Sequence, residues 1–368
     1  MKNSLLRFFS FIYPTLIVLA VVEIVFRLMG FPNEKFNFLR MTDTGIYPPN
    51  EDMELTWGTF PYRVKTNSLG LRGNEPGKDT SALRIAAIGD SVTDGFFLDN
   101  EEIWTHKLNE LFKSQGAPAE VLNVARGRAS IDKELALLRE VALPLNPDIV
   151  LLTFTSNDIP ELLDKDLDEI LRLKAPFQPR NMKLTDQVFI WLINYSAACN
   201  AIYSYIWEQK TSNFSDYFNR GIDWEPDEHE KNIALFRKHF GGDQWILEEP
   251  FSARTNELVA NYLTALHLFF TTCREQNAQP VFIYNPSIVV VYEPESSTRM
   301  PELIEAMCKQ HNVPFLDLTP DMRNAGRDTI IFLAPYDFHN NAAGNTVIAN
   351  SIYEFLQDEF PEELNPEL

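Results

Sequence analysis

Five short apolar runs alternate along this chain with longer stretches of helical spacing, and that alternation restricts the fold more than any other feature. The runs are residues 83–88, 120–124, 148–154, 280–284 and 313–317. Between them, residues 104–114, 131–141, 255–276 and 301–311 repeat their apolar positions at helical intervals, and 342–360 reads as a closing helix. Strands separated by helices imply βαβ units and a parallel sheet. The expected class is therefore α/β.

One section breaks the rhythm. Residues 160–252 carry no convincing strand and are too many for a plain crossover. They are expected to form a helical insertion over the carboxyl edge of the sheet, where α/β folds place their ligands. Its apolar and aromatic residues (Phe189, Trp191, Leu192, Tyr195, Tyr203, Tyr205 and Trp207) exceed what a solvated loop carries. Such a surface suits a cap over the site, an acyl pocket or a contact with a membrane surface.

The beginning of the chain points to a membrane. The apolar run from Leu5 to Phe26 approaches the roughly 20 residues a spanning helix needs. Glu23 interrupts it, but Arg27 lies one turn on and can pair with it. A cleaved signal peptide would want two small residues at its cleavage site, and Ala20-Val21-Val22 supplies one. Residues 1–29 are expected to be a single-pass anchor, and 30–80, rich in Pro, Asn, Gly and Asp, an extended connector to a domain at 81–360. Lys2 and Arg7 before the run are matched by Arg27, Lys35 and Arg40 after it, so charge does not set the orientation.

Composition excludes several classes. The 368 residues carry a formal net charge of -20 with no basic stripe, which argues against nucleic acid as a partner. Three cysteines (Cys199, Cys273 and Cys308) are too few and too scattered for a disulfide framework or a zinc site, and are expected to be buried packing residues. The acidic clusters at 164–169 and 225–230 lack metal-loop spacing, and no phosphate-cradling glycine loop is present. No cofactor or metal is expected.

Three segments carry chemistry. Gly89-Asp90-Ser91 follows the first run and opens a helix, which stands a serine at the carboxyl edge of a parallel sheet near helix-start amides. Asn157-Asp158 ends the third run on the same edge, where a carboxamide can donate to an oxyanion. Asp337-Phe338-His339 precedes the closing helix, and His339 alone among six histidines has loop-type neighbours and a carboxylate two positions away. Each of the first two segments alone is explained as well by helix capping. The combination of serine, histidine and carboxylate is what a nucleophile with a base and an orienting acceptor requires.

In that order these segments resemble the SGNH hydrolase superfamily of GDSL-like lipases and esterases. The family's first block is matched by Ile88-Gly89-Asp90-Ser91, and its Gly-x-Asn-Asp block by Thr155-Ser156-Asn157-Asp158. The segments 67–73 and 92–104 are similar to bacterial members. The last block has Asp-x-His-x-Asn at Asp337, His339 and Asn341, a spacing shared with acyl-transferring relatives. The likeness covers roughly residues 60–160 and 275–355.

The resemblance implies a three-layer α/β sandwich with a parallel sheet in flavodoxin-like order, with Ser91 as nucleophile, His339 as base and Asp337 as its orienting partner. The oxyanion hole would comprise the N–H groups of Ser91 and Ala125 and the side-chain amide of Asn157. Two departures stand out: Ala125 replaces the usual oxyanion-hole glycine, and Thr155 replaces the glycine of the third block. The implied function is hydrolysis of a carboxylester or carbohydrate O-acyl ester at the membrane, with the catalytic domain on the extracytoplasmic side. Transfer of the acyl group onto a cell-envelope glycan and a non-catalytic carbohydrate- or lipid-binding module are the alternatives.

Overall fold

The computed structural model describes residues 2–32, 47–57, 60–77, 82–127, 129–172, 184–206, 245–292, 298–333 and 338–364. The chain divides into two compact units, one of residues 1–40, 53–63 and 179–222, the other of residues 41–52, 64–178 and 223–368. Strands β1 (Asp52–Trp57) and β2 (Phe60–Lys65) pair as a two-stranded sheet. The connector expected over 30–80 therefore contains regular structure. Its later part is also packed: Val64 and Leu71 are buried, and Arg72 bridges to Asn123.

The larger unit is built on five parallel strands: β3 (Leu83–Ile88), β4 (Ala119–Asn123), β5 (Ile149–Phe154), β6 (Gln279–Tyr284) and β7 (Phe315–Asp317). Each coincides with one of the five apolar runs. Their spatial order is β4-β3-β5-β6-β7, the flavodoxin-like order expected. Every pairing is parallel, with Ile85 opposite both Val121 and Ile149, and Leu151 opposite Val281.

Period-two alternation sends strand residues to opposite faces. Ala86, Ile88, Val150, Leu152, Phe154, Phe282 and Tyr284 enter one apolar cluster, beneath the helices Ile131–Leu137, Ala253–Glu275 and Arg299–Gln310. Ile85, Ala87, Ile149, Leu151, Val281 and Ile283 enter the other, under Trp104–Gln115, Thr319–Ala325 and Ala342–Glu359. The sheet is thus covered on both faces, a three-layer sandwich. Cys273 and Cys308 lie in the first cluster as expected, whereas Cys199 is only half-buried.

Both ends of the insertion fold into the larger unit. Leu162, Ile170, Ile246 and Phe251 join its first apolar cluster, and the Trp245 indole donates to the Ser156 carbonyl at 3.0 Å. The described middle is helical, at Leu184–Tyr195 and again over 197–206. Trp207 lies outside the described residues.

The first helix spans Lys2–Leu28, and its side chains are described from Tyr13 onward. Among the described residues no helix is long and apolar enough to cross a membrane. Glu23 and Arg27 fall in the described half, where they form an ion pair at 2.8 Å.

Candidate active site

Strand β3 delivers the serine through a turn with no spare room. A Cβ on Gly89 would stand 2.5 Å from Thr93 Oγ1 and 3.2 Å from the Thr153 carbonyl, so only glycine fits. Asp90 then caps the short helix Ser91–Asp94, its carboxylate accepting the Val92 N–H at 2.9 Å. The helix begins at Ser91 itself. It ends at Gly95, whose φ of 84° is left-handed and where a Cβ would strike Ile103 at 2.1 Å.

Arg72, which sequence reasoning did not single out, holds this turn from behind. Its guanidinium donates to the carbonyls of Asp94, Gly95 and Leu98 and to Asn100 Oδ1. Asp94 is fully buried and accepts from the Tyr47 hydroxyl at 3.1 Å, the Gly127 N–H at 3.1 Å and Arg126 at 3.4 Å. Arg126 also stacks over the Tyr47 ring, 3.7 Å from its centroid. Burial pushes the Asp94 carboxyl up, and Arg126 and Arg72 oppose the shift. The segment 67–73 offered a signal through its resemblance, but a buried arginine's partners are not visible in sequence.

His339 arrives from the opposite end of the sequence. A bridge between Phe332 and Asn340, and the Leu333 N–H bonded to the His339 carbonyl at 2.9 Å, fold the loop back on itself. Asn341 fastens the loop to the closing helix, accepting the Gly344 N–H at 3.0 Å and donating to the Ile330 carbonyl at 2.7 Å. His339 Nε2 then lies 2.7 Å from Ser91 Oγ, and each residue is 6% exposed. Three aromatic rings enclose the imidazole: Phe338 stacked at 4.5 Å, Phe96 stacked at 5.8 Å and Phe97 edge-on at 5.2 Å. Asp337 lies outside the described residues.

The expected oxyanion donors are placed unevenly. Ser91 is the first residue of its helix. The Ala125 N–H, expected to face the oxyanion, is instead donated to Asn123 Oδ1 at 3.1 Å, because the Asn123 side chain folds over the end of β4 and also donates to the Thr93 carbonyl. The N–H of Gly127 is likewise taken, by Asp94. Asn157 presents its amide at the end of β5, with Oδ1 2.8 Å from the Thr155 hydroxyl and Nδ2 3.3 Å from Glu161 Oε1.

Thr155 links two parts of the site. Its hydroxyl also lies 2.8 Å from Asp90 Oδ2, so one side chain touches both the residue before the nucleophile and the candidate oxyanion amide. Thr155 and Asn157 line a cleft with Val92, Asn285, Ser287 and Phe338. Asn285 and Ser287 were missed, although Asn285-Pro-Ser directly follows β6 at the same sheet edge. Asn285 donates to Asn340 Oδ1 at 3.2 Å, tying the end of β6 to the histidine loop.

Behind the nucleophile lies a buried acidic group. Asp90, Glu134 and Asp158 are all fully buried. Among the described residues, both Glu134 carboxyl oxygens and Asp158 Oδ1 have no hydrogen-bond partner. Burial, reinforced by mutual repulsion and by Asp90, pushes Glu134 and Asp158 well above the usual carboxylate range.

No family model matches the sequence, and no curated protein matches it. Several solved structures share a similar arrangement. They include TesA, at 10% identity and a TM-score of 0.43 over 75% of this chain and 98% of that one. The psychrotrophic esterase EstA from Pseudoalteromonas sp. is 12% identical, with a TM-score of 0.41 over 76% of this chain and 99% of its own. The acetylxylan esterase Axe2 from Geobacillus stearothermophilus is 10% identical, with a TM-score of 0.42 over 74% and 93%. At these identities and TM-scores the likenesses assign no activity to this chain.

Proposed function

We propose that this chain is a serine esterase acting through an acyl-enzyme on Ser91. The observation that carries the proposal is the 2.7 Å contact between Ser91 Oγ and His339 Nε2, made between side chains 248 residues apart. Both sit at the carboxyl edge of a parallel sheet, beside a cleft lined by polar groups. A buried serine that meets a histidine at this distance is set up for proton transfer.

The chemistry follows from that pair. Ser91 Oγ attacks the ester carbonyl while His339 Nε2 takes its proton. The tetrahedral intermediate collapses, His339 gives the proton to the leaving alkoxide, and an alcohol departs from acyl-Ser91. Water then attacks the acyl carbon, loses its proton to His339, and the acid leaves as Ser91 regains a proton. Asp337, two residues before His339, is assigned to hold the imidazole tautomer and stabilise the imidazolium, as the resemblance implies. Ser91 N–H and the Asn157 amide serve as oxyanion donors, while Ala125 acts there only if its N–H leaves Asn123.

A fluorophosphonate probe, with the modified residue mapped, tests the assignment. Labelling of Ser91 and hydrolysis of p-nitrophenyl acetate, both lost in a folded Ser91→Ala variant, are expected; full turnover by that variant refutes it. A carbohydrate hydroxyl in place of water in the second step would make the same intermediate a transfer reaction, a reading favoured by the Asp-x-His spacing. Product analysis with added glycan acceptors separates the two. The Ser91–His339 contact argues against a non-catalytic module.

The membrane location belongs to the same proposal, with the catalytic domain on the extracytoplasmic side. It is supported by the 27-residue first helix and its exposed apolar side chains. Full-length protein should fractionate with membranes and resist high-salt extraction.

A further inference from the structure

The first helix is unusual in its surroundings. Leu16, Ile17, Val18 and Leu19 are consecutive, so at 100° per residue they point around the whole circumference, yet each is 49–60% exposed. A protein neighbour covers one stripe of a helix. A surface that is apolar on every side calls for a medium that surrounds it, and lipid does.

Two charged groups in this half of the helix, Glu23 and Arg27, are incompatible with lipid, and the insertion engages both. Glu23 accepts from the Ser196 hydroxyl at 2.8 Å and from the N–H groups of Ala197 and Ala198 at 2.9 and 3.2 Å. These are the opening residues of the helix over 197–206, whose free amides need an acceptor. Arg27 completes the joint, pairing with Glu23 at 2.8 Å and donating to the Tyr195 carbonyl at 2.8 Å. A carboxylate from the first helix thus caps a helix about 170 residues away, and fixes the insertion at the depth of the last turns of the first helix.

At that depth the insertion is itself apolar toward the outside. Leu184, Val188, Trp191 and Tyr195, spaced i, i+4, i+7 and i+11, are all exposed, whereas Ile193 is buried. Ile202, Tyr205 and Ile206 are exposed on the next helix, whereas Ala197 and Ala201 are buried. Tryptophan and tyrosine are the residues favoured at the boundary between hydrocarbon and headgroups. We propose that the insertion helices at 184–206 lie in the interfacial layer of a lipid bilayer beside the first helix, held there by the Glu23 joint. This rests on the membrane location proposed above, and adds a second lipid-contacting element. With a net charge of -20 the attachment is apolar, so it needs no anionic lipid.

The test uses full-length protein in phosphatidylcholine vesicles with single nitrobenzoxadiazole labels on Val18→Cys, Trp191→Cys or Tyr205→Cys in a Cys199→Ser background. Cys273 and Cys308 stay silent, being buried with thiols pushed up to about 12. Labels at 191 and 205 are expected to be quenched severalfold by 5-doxyl phosphatidylcholine, as is the label at 18. Quenching at 18 alone overturns the proposal and spares the membrane location. Quenching at none overturns both, and blue-shifted emission at 191 without quenching assigns the stripe to a protein partner. Glu23→Ala should release 191 and 205 but not 18, and fluorophosphonate labelling of Ser91 in each variant shows that the catalytic unit is folded. Unchanged quenching in Glu23→Ala overturns the joint.

Discussion

Thr155 Oγ1 stands 2.8 Å from Asp90 Oδ2, linking the end of β5 to the residue that caps the nucleophile helix at the end of β3. The same hydroxyl lies 2.8 Å from Asn157 Oδ1, which turns the amide nitrogen away from Thr155. Where the resembled family has glycine, this chain has a side chain that couples nucleophile and oxyanion donor. Thr155→Val keeps the shape and removes the hydroxyl. It should cost about 1–2 kcal/mol in urea unfolding, because buried Asp90 loses a donor, and should lower kcat more than it raises KM. Loss of stability with kcat unchanged would make Thr155 a packing residue alone.

Asn157 is expected to act on the rate rather than on binding. An amide aimed at an oxyanion gains strength only as charge develops. Asn157→Ala should therefore lower kcat on the order of 10²-fold with little change in KM. A change confined to KM would assign the amide to substrate positioning.

Gly127 adjoins the aromatic cage of the histidine. A Cβ there would stand 2.1 Å from the Phe96 ring, and that ring stacks on His339. Gly127→Ala should push Phe96 aside, loosen the imidazole and reduce kcat about tenfold, with the fold retained. Pairing it with Phe96→Leu, which removes the clash, should restore part of the stability but not the full rate. Steady-state kinetics and thermal unfolding of the two variants against the parent check this.

The buried acids give stability a defined pH dependence. Glu134 is raised above its ordinary value in the folded chain, chiefly by burial. As pH climbs from the usual glutamate range toward that raised value, the unfolded chain releases a proton that the folded chain keeps. Unfolding stability then falls by about 1.4 kcal/mol per pH unit for each such proton, and the contribution is gone once pH passes the folded pKa. Glu134→Gln removes the titration, so urea unfolding should show a larger gain over the parent at pH 8 than at pH 5. An equal difference at both pH values would mean that Glu134 ionises no differently in the two states.

The sequence by itself determined the elements and their layering. Near-continuous apolar runs in β3, β5 and β6, with apolar residues at helical intervals between them, mark a sheet covered on both faces, because that information is local. It also marked Ser91, Asn157 and His339, since a nucleophile at a strand end and a base in a loop carry their own neighbours as a signal. The tertiary structure decided what those residues touch. Only the folded chain brings His339 to Ser91, seats Arg72 behind the nucleophile turn, folds Asn123 onto the Ala125 N–H and bonds Glu23 to the start of a helix at 197. Each of these joins groups through space at hydrogen-bond range, within about 3 Å. Such a contact depends on where two distant backbones are held, and no periodicity along either segment records it.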